Sequence, residues 1–318
     1  MRKVLVIGSI NVDFTLHGVE KFPAENEEVD VSDVTITAGG KSRNIAAMIS
    51  ALSSGNEVEF IGKMAKDPYG LYKLPIQALE DAGVETGSVI FAENESTLPG
   101  MAFIPVDKKG NNAIYEYGGA NDLLSKEDVD RYLGLIDELS KDNGLLVINF
   151  EMPLETAVYI AEKANERGVR VILEPGGIRE NDDIKTLTGR KYFLIKPNHT
   201  EAEILTGVKV VDFNTARHAG NKLLELGAEN AMITIGNKGA FFMNREKEEE
   251  IPIDELGLGN DGVNETGTGD QVLAAFCAYI LKGKTVFEAA KIAVTAGTLQ
   301  YHKPNIEPVT LEELEKYI

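Results

Sequence analysis

A chain of 318 residues with 43% hydrophobic side chains is long enough for one large α/β core with length left for a small extra sheet. It has no apolar run near the ~18 residues that a transmembrane helix needs, so no membrane span is expected. A formal net charge of −19 repels phosphate backbones and argues against a nucleic-acid partner, and the single cysteine, Cys277, excludes an intrachain disulfide and any multi-cysteine metal site.

The first apolar run, 4–7, follows Arg2 and Lys3 in the manner of a signal peptide. It is too short for one and is interrupted by Asn11 and Asp13, so it reads as a buried strand of a cytoplasmic protein. Helix 44–52, strand 59–64 and helix 71–82, closed by Gly83, follow. Strand 145–149, helix 154–167, strand 169–173, strand 193–196, helices 200–206 and 216–226, and strand 231–235 continue the alternation, and helices 270–281 and 285–300 end it. Such alternation predicts one α/β domain over 1–318, a doubly wound, mostly parallel sheet with helices on both faces. Two regions break the rhythm. Segment 28–37 alternates as Val29, Val31, Val34 and Ile36, and 88–117 holds short β-like runs at 89–92, 101–106 and 113–117. A small β-sheet lid built from segments about 12–38 and 88–118 is the economical reading. The charge run 245–250 reads as a solvated turn, and Cys277, within the apolar run 272–281, as a packing residue.

Residues 264–270 read Asn-Glu-Thr-Gly-Thr-Gly-Asp and open an apolar helix. Glycines there let the backbone turn tightly, and the amides of Gly267, Thr268 and Gly269 at a helix N-terminus make an anion-binding concavity. A carboxylate beside an anion hole makes chemical sense when Asp270 takes a proton from an incoming hydroxyl while the amides hold a transferring phosphoryl group. An aspartate that simply caps a helix after a glycine turn fits the same seven residues.

Residues 38–44 read Ala-Gly-Gly-Lys-Ser-Arg-Asn before an alanine-rich helix. The resemblance to a Walker A loop fails, because the first glycine of that loop would fall at Thr35. What remains is a paired-glycine turn at Gly39 and Gly40 that brings backbone close to a polyol, with Lys41, Arg43 and Asn44 as donors. Lys41 and Arg43 as plain surface cations is the alternative.

These two motifs, in this order, resemble those of the ribokinase-like (PfkB) carbohydrate kinases. Gly39-Gly40-Lys41-Ser42-Arg43-Asn44 is similar to the family's GGKGxN signature, and 264–270 to its DTxGAGD signature. Further similarities lie at Gly8–Asp13, Gly118–Asn121, Glu151–Glu155, Pro197–Glu203 and Thr234–Gly239, so the likeness covers nearly the whole chain. It implies phosphoryl transfer from ATP to a hydroxyl, with Asp270 as base and Gly267, Thr268 and Gly269 as anion hole. Asn198 and Glu201 would organise Mg²⁺ through water in the family's manner, although Asn-x-x-Glu at a helix start is also a capping box. Thr234, Gly236, Lys238 and Gly239, with Asn198, Gly267 and Gly269, would line the nucleotide. Asn11, Asp13, Gly39, Gly40, Lys41, Arg43, Asn44 and Glu151 would contact the acceptor.

Two departures from the family pattern matter. Asn264 stands where the family's monovalent-cation site has an aspartate, which puts K⁺ activation in doubt. Arg43 stands where the family has a small residue, and either faces solvent or meets a carboxylate or phosphate on the acceptor. Asp13, Lys41, Asn44 and Glu151 make ribose or a related pentose the first expectation. A nucleoside is the alternative, its base held by Phe103, Tyr115 and Tyr117, as are inositol, a sugar phosphate or a keto-deoxy acid. A non-catalytic nucleotide- or sugar-binding protein is the reading from another class, and the intact Asp270 argues against it. Family habit adds a homodimer through the lid, whose open strand edges invite pairing.

Overall fold

The computed structural model describes residues 3–53, 57–94, 96–108, 111–253, 256–258, 265–303 and 306–318. In chain order its elements are β1 (Lys3–Ile7), β2 (Asn11–Val19), β3 (Asp33–Gly39), α1 (Lys41–Leu52), β4 (Glu57–Ile61), β5 (Lys63–Met64), α2 (Lys73–Asp81), β6 (Ile90–Phe91), β7 (Gly100–Asp107) and β8 (Tyr115–Tyr117). Next come α3 (Lys126–Asp130), α4 (Leu133–Asp142), β9 (Leu145–Ile148), α5 (Leu154–Glu166), β10 (Arg170–Leu173), β11 (Tyr192–Ile195), α6 (His199–Thr206) and α7 (Phe213–Leu226). The chain closes with β12 (Ala228–Thr234), β13 (Ala240–Asn244), β14 (Glu248–Ile251), α8 (Thr268–Leu281), α9 (Val286–Tyr301) and α10 (Leu311–Leu314).

The apolar runs become the centre of an eight-stranded sheet in the order β14-β13-β12-β11-β10-β9-β1-β4. Pairing is parallel from β4 through β12, and β13 and β14 extend the edge antiparallel. Successive side chains leave a strand on opposite faces. Val4, Val6, Leu145, Val147, Ile172 and Leu194 therefore pack with α1, α8 and α9 on one side. Leu5, Ile7, Leu146, Ile148, Val171 and Ile195 pack with α4, α5 and α7 on the other. Strands covered on both faces must be apolar throughout, which is why β9 is the uninterrupted run Leu-Leu-Val-Ile. Cys277 lies in the first of these cores, and burial pushes its thiol up to about 12. No helix among the described residues is long and apolar enough to cross a membrane.

A second sheet, in the order β3-β2-β7-β8, stands beside the first. Its register places Thr37, Asp13, Ala102 and Glu116 in one row, and Ile36, Phe14, Phe103 and Tyr115 in the next. By strand alternation the first row faces the main body and the second faces away. Burial agrees on the two central strands, where Asp13 and Ala102 are buried and Phe103 is exposed, while on the edge strands Thr37 and Glu116 are exposed along with Ile36 and Tyr115. The apolar outer row includes a stacked ring pair, Phe14 and Phe103, with centroids 5.1 Å apart.

Several expectations change. Strand 28–37 begins only at Asp33, and the β-like run 113–117 shrinks to β8. The charge run 245–250 is not a plain turn: from Glu248 it is the edge strand β14. Its glutamates are tied down by Arg217 and Lys291 from neighbouring helices. Helix 270–281 starts two residues earlier, so Thr268 and Gly269 belong to the first turn of α8. Position 264 lies outside the described residues.

Candidate active site

The polar residues gather where the parallel strands end. Ser9 and Asn11 follow β1, Asn149 and Glu151 follow β9, Glu174 follows β10, and Lys196 and Asn198 follow β11. A parallel sheet aligns all its carboxyl ends on one edge, so single residues from distant segments meet there. The N-termini of α1 and α8 and the inner row of the second sheet close over this edge.

The paired glycines seat α1. Gly40, its N-cap residue, has φ 93°. A Cβ there would stand 2.9 Å from the Ser9 carbonyl oxygen and 3.0 Å from the Asn11 nitrogen, so only glycine admits this approach. At Gly39 a Cβ would fall on the Asp13 carboxylate. The helix start is then fixed by Glu151, whose Oε2 accepts from the Lys41 backbone amide at 3.0 Å and from the Ser9 hydroxyl at 2.5 Å. Asn11 is set by Asn121, which donates to its Oδ1 at 2.6 Å and accepts from the Ile10 amide at 3.1 Å.

Asp270 lies at the centre, only 4% exposed. Asn44 Nδ2 donates to its Oδ2 at 3.1 Å, while Lys41 Nζ stands 3.7 Å from its Oδ1. That Oδ1 is buried and has no hydrogen-bond partner among the described residues. Burial raises the Asp270 carboxyl above the usual carboxylate range and Glu174 adds to this, against Lys41, Asn44 and Lys196. Gly267, with φ 79° and no side chain, caps α8, so no side chain occupies the amides of its first turn. The Thr268 amide is engaged at 3.3 Å with the Glu265 carbonyl, which leaves Gly269 and Asp270 as the better anion donors.

The neighbouring charges couple across the strand ends. Glu174 Oε1 stands 3.8 Å from both Lys41 Nζ and Lys196 Nζ, and Glu174 and Lys196 are each 1% exposed. The Glu174 carboxylate holds Lys41 well above the usual lysine range. A Cβ built on Gly269 would be 3.2 Å from Lys196 Nζ, so this buried ammonium lies at the α8 N-terminus. Burial pushes Asp13 up to about 6 and Glu151 up to about 7, and Glu116 raises both. Arg43 is also buried, which pushes its guanidinium down to about 10. It donates to Asn44 Oδ1 at 3.0 Å, so the solvent-facing option for Arg43 is overturned.

Asn198 and Glu201 form the capping box of α6: Asn198 Oδ1 accepts from the Thr200 and Glu201 amides at 2.9 Å, and Glu201 Oε2 accepts from the Asn198 amide at 2.8 Å. Burial and Glu174 raise the Glu201 carboxyl, which places it beside the same charge cluster. Thr234 bridges to Asn198 across neighbouring strand ends. Lys238 is not brought to this cluster by its contacts, since its ammonium donates to the Val211 carbonyl at 2.7 Å. Gly239 packs against the β14 end, where a Cβ would overlap the Ile251 carbonyl, whereas nothing crowds Gly236. By the strand register Phe103 and Tyr115 stand on the sheet face opposite Asp13.

The sequence reading gave no role to Glu174, Lys196, Ser9, Asn121 or Glu116, although Ser9 and Asn121 fall within the family-like segments 8–13 and 118–121. A charged residue directly after an apolar strand, as in Val-Ile-Leu-Glu and Phe-Leu-Ile-Lys, was the available signal for two of them.

The sequence profile described as pfkB family carbohydrate kinase matches residues 1–310. A deoxyribokinase of Salmonella typhi is 32% identical over 291 residues, 92% of this chain and 90% of that protein. A ribokinase of Haemophilus influenzae is 32% identical over 320 residues, 99% of this chain and 98% of that protein. The structure of Arabidopsis thaliana ribokinase complexed with ribose and ATP superposes with a TM-score of 0.82 at 26% identity, covering 99% of this chain and 97% of that one.

Proposed function

The chain belongs to the pfkB family of carbohydrate kinases and is a sugar kinase, and from that premise we propose that it moves the terminal phosphoryl group of ATP to a hydroxyl of ribose, deoxyribose or a related neutral polyol, with Asp270 as the base. The observation that carries the role of Asp270 is its buried Oδ1, without a hydrogen-bond partner among the described residues, beside the uncapped N-terminus of α8. The hydroxyl proton passes to Oδ1, the hydroxyl oxygen bonds to the γ-phosphorus, and the bond to the β–γ bridging oxygen breaks to release ADP. The α8 amides and the Lys196 ammonium face the charge that spreads over the phosphoryl oxygens. ATP as donor is supported by the relative complexed with ribose and ATP.

The residues present suit Mg²⁺ held through water. Among the described residues no cluster of three His, Cys, Asp or Glu side chains forms a direct cage. Glu201 spends only Oε2 on its capping bond and lies within the electrostatic reach of Glu174, so its other oxygen would meet the water of a hydrated cation. When bound, the ion neutralises charge on the phosphate oxygens.

The second sheet would act as a lid over the acceptor, contributing Asp13 and Asn11 from its inner row. Its exposed outer row of Ile36, Phe103 and Tyr115 would meet a second copy of the chain. Light scattering of Tyr115→Arg against the unmodified protein tests that pairing, since a monomer in both would end it. A neutral acceptor fits best because Asp13, Glu116, Glu151 and Asp270 outnumber the nearby cations. A phosphotransfer screen decides the whole reading: ATP and ADP as donors, against ribose, deoxyribose, other sugars, nucleosides, inositol and sugar phosphates, with and without K⁺. Turnover confined to ADP or to nucleosides would refute it.

A further inference from the structure

Asn44 sits between a group that only donates and a group that only accepts. Arg43 Nη1 donates to its Oδ1 at 3.0 Å, and its Nδ2 donates to Asp270 Oδ2 at 3.1 Å. A guanidinium has no acceptor and a carboxylate has no donor, so the amide has one satisfied orientation and its flipped form none. All three side chains are buried, with 9% exposure for Arg43, 6% for Asn44 and 4% for Asp270.

We infer that Arg43 is a positioning residue for the reaction: through Asn44 it fixes Oδ2 of Asp270, and so leaves Oδ1 as the oxygen that takes the acceptor proton. This rests on the reading of Asp270 as the base. Two observations favour it over a direct anion contact. First, the Arg43 guanidinium commits Nη1 to Asn44 and lies in the field of the Asp13 carboxylate, which answers part of its charge, while its buried Nε has no hydrogen-bond partner among the described residues. Second, Asp13, Glu116, Glu151 and Asp270 crowd the acceptor side, which is hostile to an anionic substituent.

The charged and polar groups that face Asp270 are Lys41 and Asn44 from α1, Glu174 and Lys196 from the strand ends, and Asp13 from the second sheet. Asp13 in turn faces Arg43 and Glu116. Removing the guanidinium frees the Asn44 amide to turn away, and both losses disfavour the carboxylate form of Asp270. The acid limb of the pH profile must then move to higher pH.

The test uses the full-length protein with MgATP and D-ribose, or the best acceptor of the phosphotransfer screen in its place. Arg43→Ala should lower kcat about ten- to a hundredfold, the worth of a hydrogen bond to a charged group, with the acceptor KM changed less than about threefold. The acid limb of kcat/KM should move up, and Arg43→Lys, which still donates, should recover most of the rate. Asn44→Ala added to Arg43→Ala should cost little more, since one relay is being broken twice. Should Arg43→Ala fail to fold by thermal melting, Arg43→Met, which fills the space without a donor, carries the same comparison. A raised KM at intact kcat would make Arg43 a substrate contact, and an unmoved acid limb without rescue by lysine would make it a packing residue; either result overturns the inference. Asp270→Asn is the separate control: near-normal turnover there removes the base itself, whatever Arg43 does.

Discussion

Replacing Asp270 by Asn changes one atom and one charge. The new side chain can keep its carbonyl toward Asn44 Nδ2, which donates at 3.1 Å in the native protein. Its amide then turns toward Lys41, which retains Glu174 at 3.8 Å. Nothing in the packing is lost, and a buried carboxylate whose ionisation is resisted by its surroundings is replaced by a neutral group. The folded protein should therefore melt at the same temperature or slightly above it. Chemistry should fare differently, because an amide cannot accept the hydroxyl proton at Oδ1. A positioned base contributes about 10²–10⁴ in rate, or about 3–5 kcal/mol of barrier. Coupled assay of ADP release should show kcat falling by that amount, and calorimetry should show acceptor affinity within about threefold of the native value. A variant with kcat within tenfold would falsify the assignment. A variant that loses rate only because it melts early would refute the packing argument instead.

Glu151 predicts a stability profile. Unfolded, its carboxyl titrates near 4.5; folded, burial raises it to about 7. The folded state thus holds the extra proton between those values, and stability drops as pH rises through them, by about 3–4 kcal/mol in full. Glu151→Gln should be more stable than the native protein at pH 8 and equal to it at pH 4 in urea titrations, and equal stability at both would remove the argument. Gly40→Ala should cost at least about 2 kcal/mol, from a φ of 93° forced on a Cβ that meets backbone on two sides; a denaturation midpoint unchanged from native would mean that the turn relaxes freely. Glu116→Gln should raise kcat/KM for an acceptor bearing a carboxylate, relative to its neutral analogue, by about three- to tenfold at low salt. The gain should shrink as salt is added, and an unaltered ratio at low salt would place Glu116 outside the acceptor field.

Legibility followed how locally each feature is encoded. The alternation of apolar runs and capped helices is local, so the parallel sheet and most helices could be read. The two glycine motifs were legible because a backbone that must approach another chain segment leaves no choice of residue. Glu174 and Lys196 were not, because each is one charged residue after one strand, and only the parallel pairing of β10 with β11 makes them neighbours. Arg43 could not be placed because its facing depends on how α1 is turned against the strand ends. The same holds for Phe103 and Tyr115. Their alternation is visible in the sequence, but the face they share depends on the register of β2 with β7 and β8. The strand β14 was hidden by its composition, since glutamate-rich segments seldom form strands and here the pairing with β13 supplies the ladder.

The second sheet constrains how this chain can vary over evolutionary time. Asp13 and Phe14 are adjacent in sequence and serve opposite faces of the sheet, the acid buried toward the main body and the ring stacked on Phe103 on the other side. Substitution changes one face at a time, so the outer row can be rewritten while the acid stays in place. A single inserted or deleted residue in β2 reverses both faces together, turning the carboxylate outward and the ring inward. Change of length is therefore confined to the connections between these strands, such as the 13 residues between Val19 and Asp33, while β2 itself is held to a fixed count.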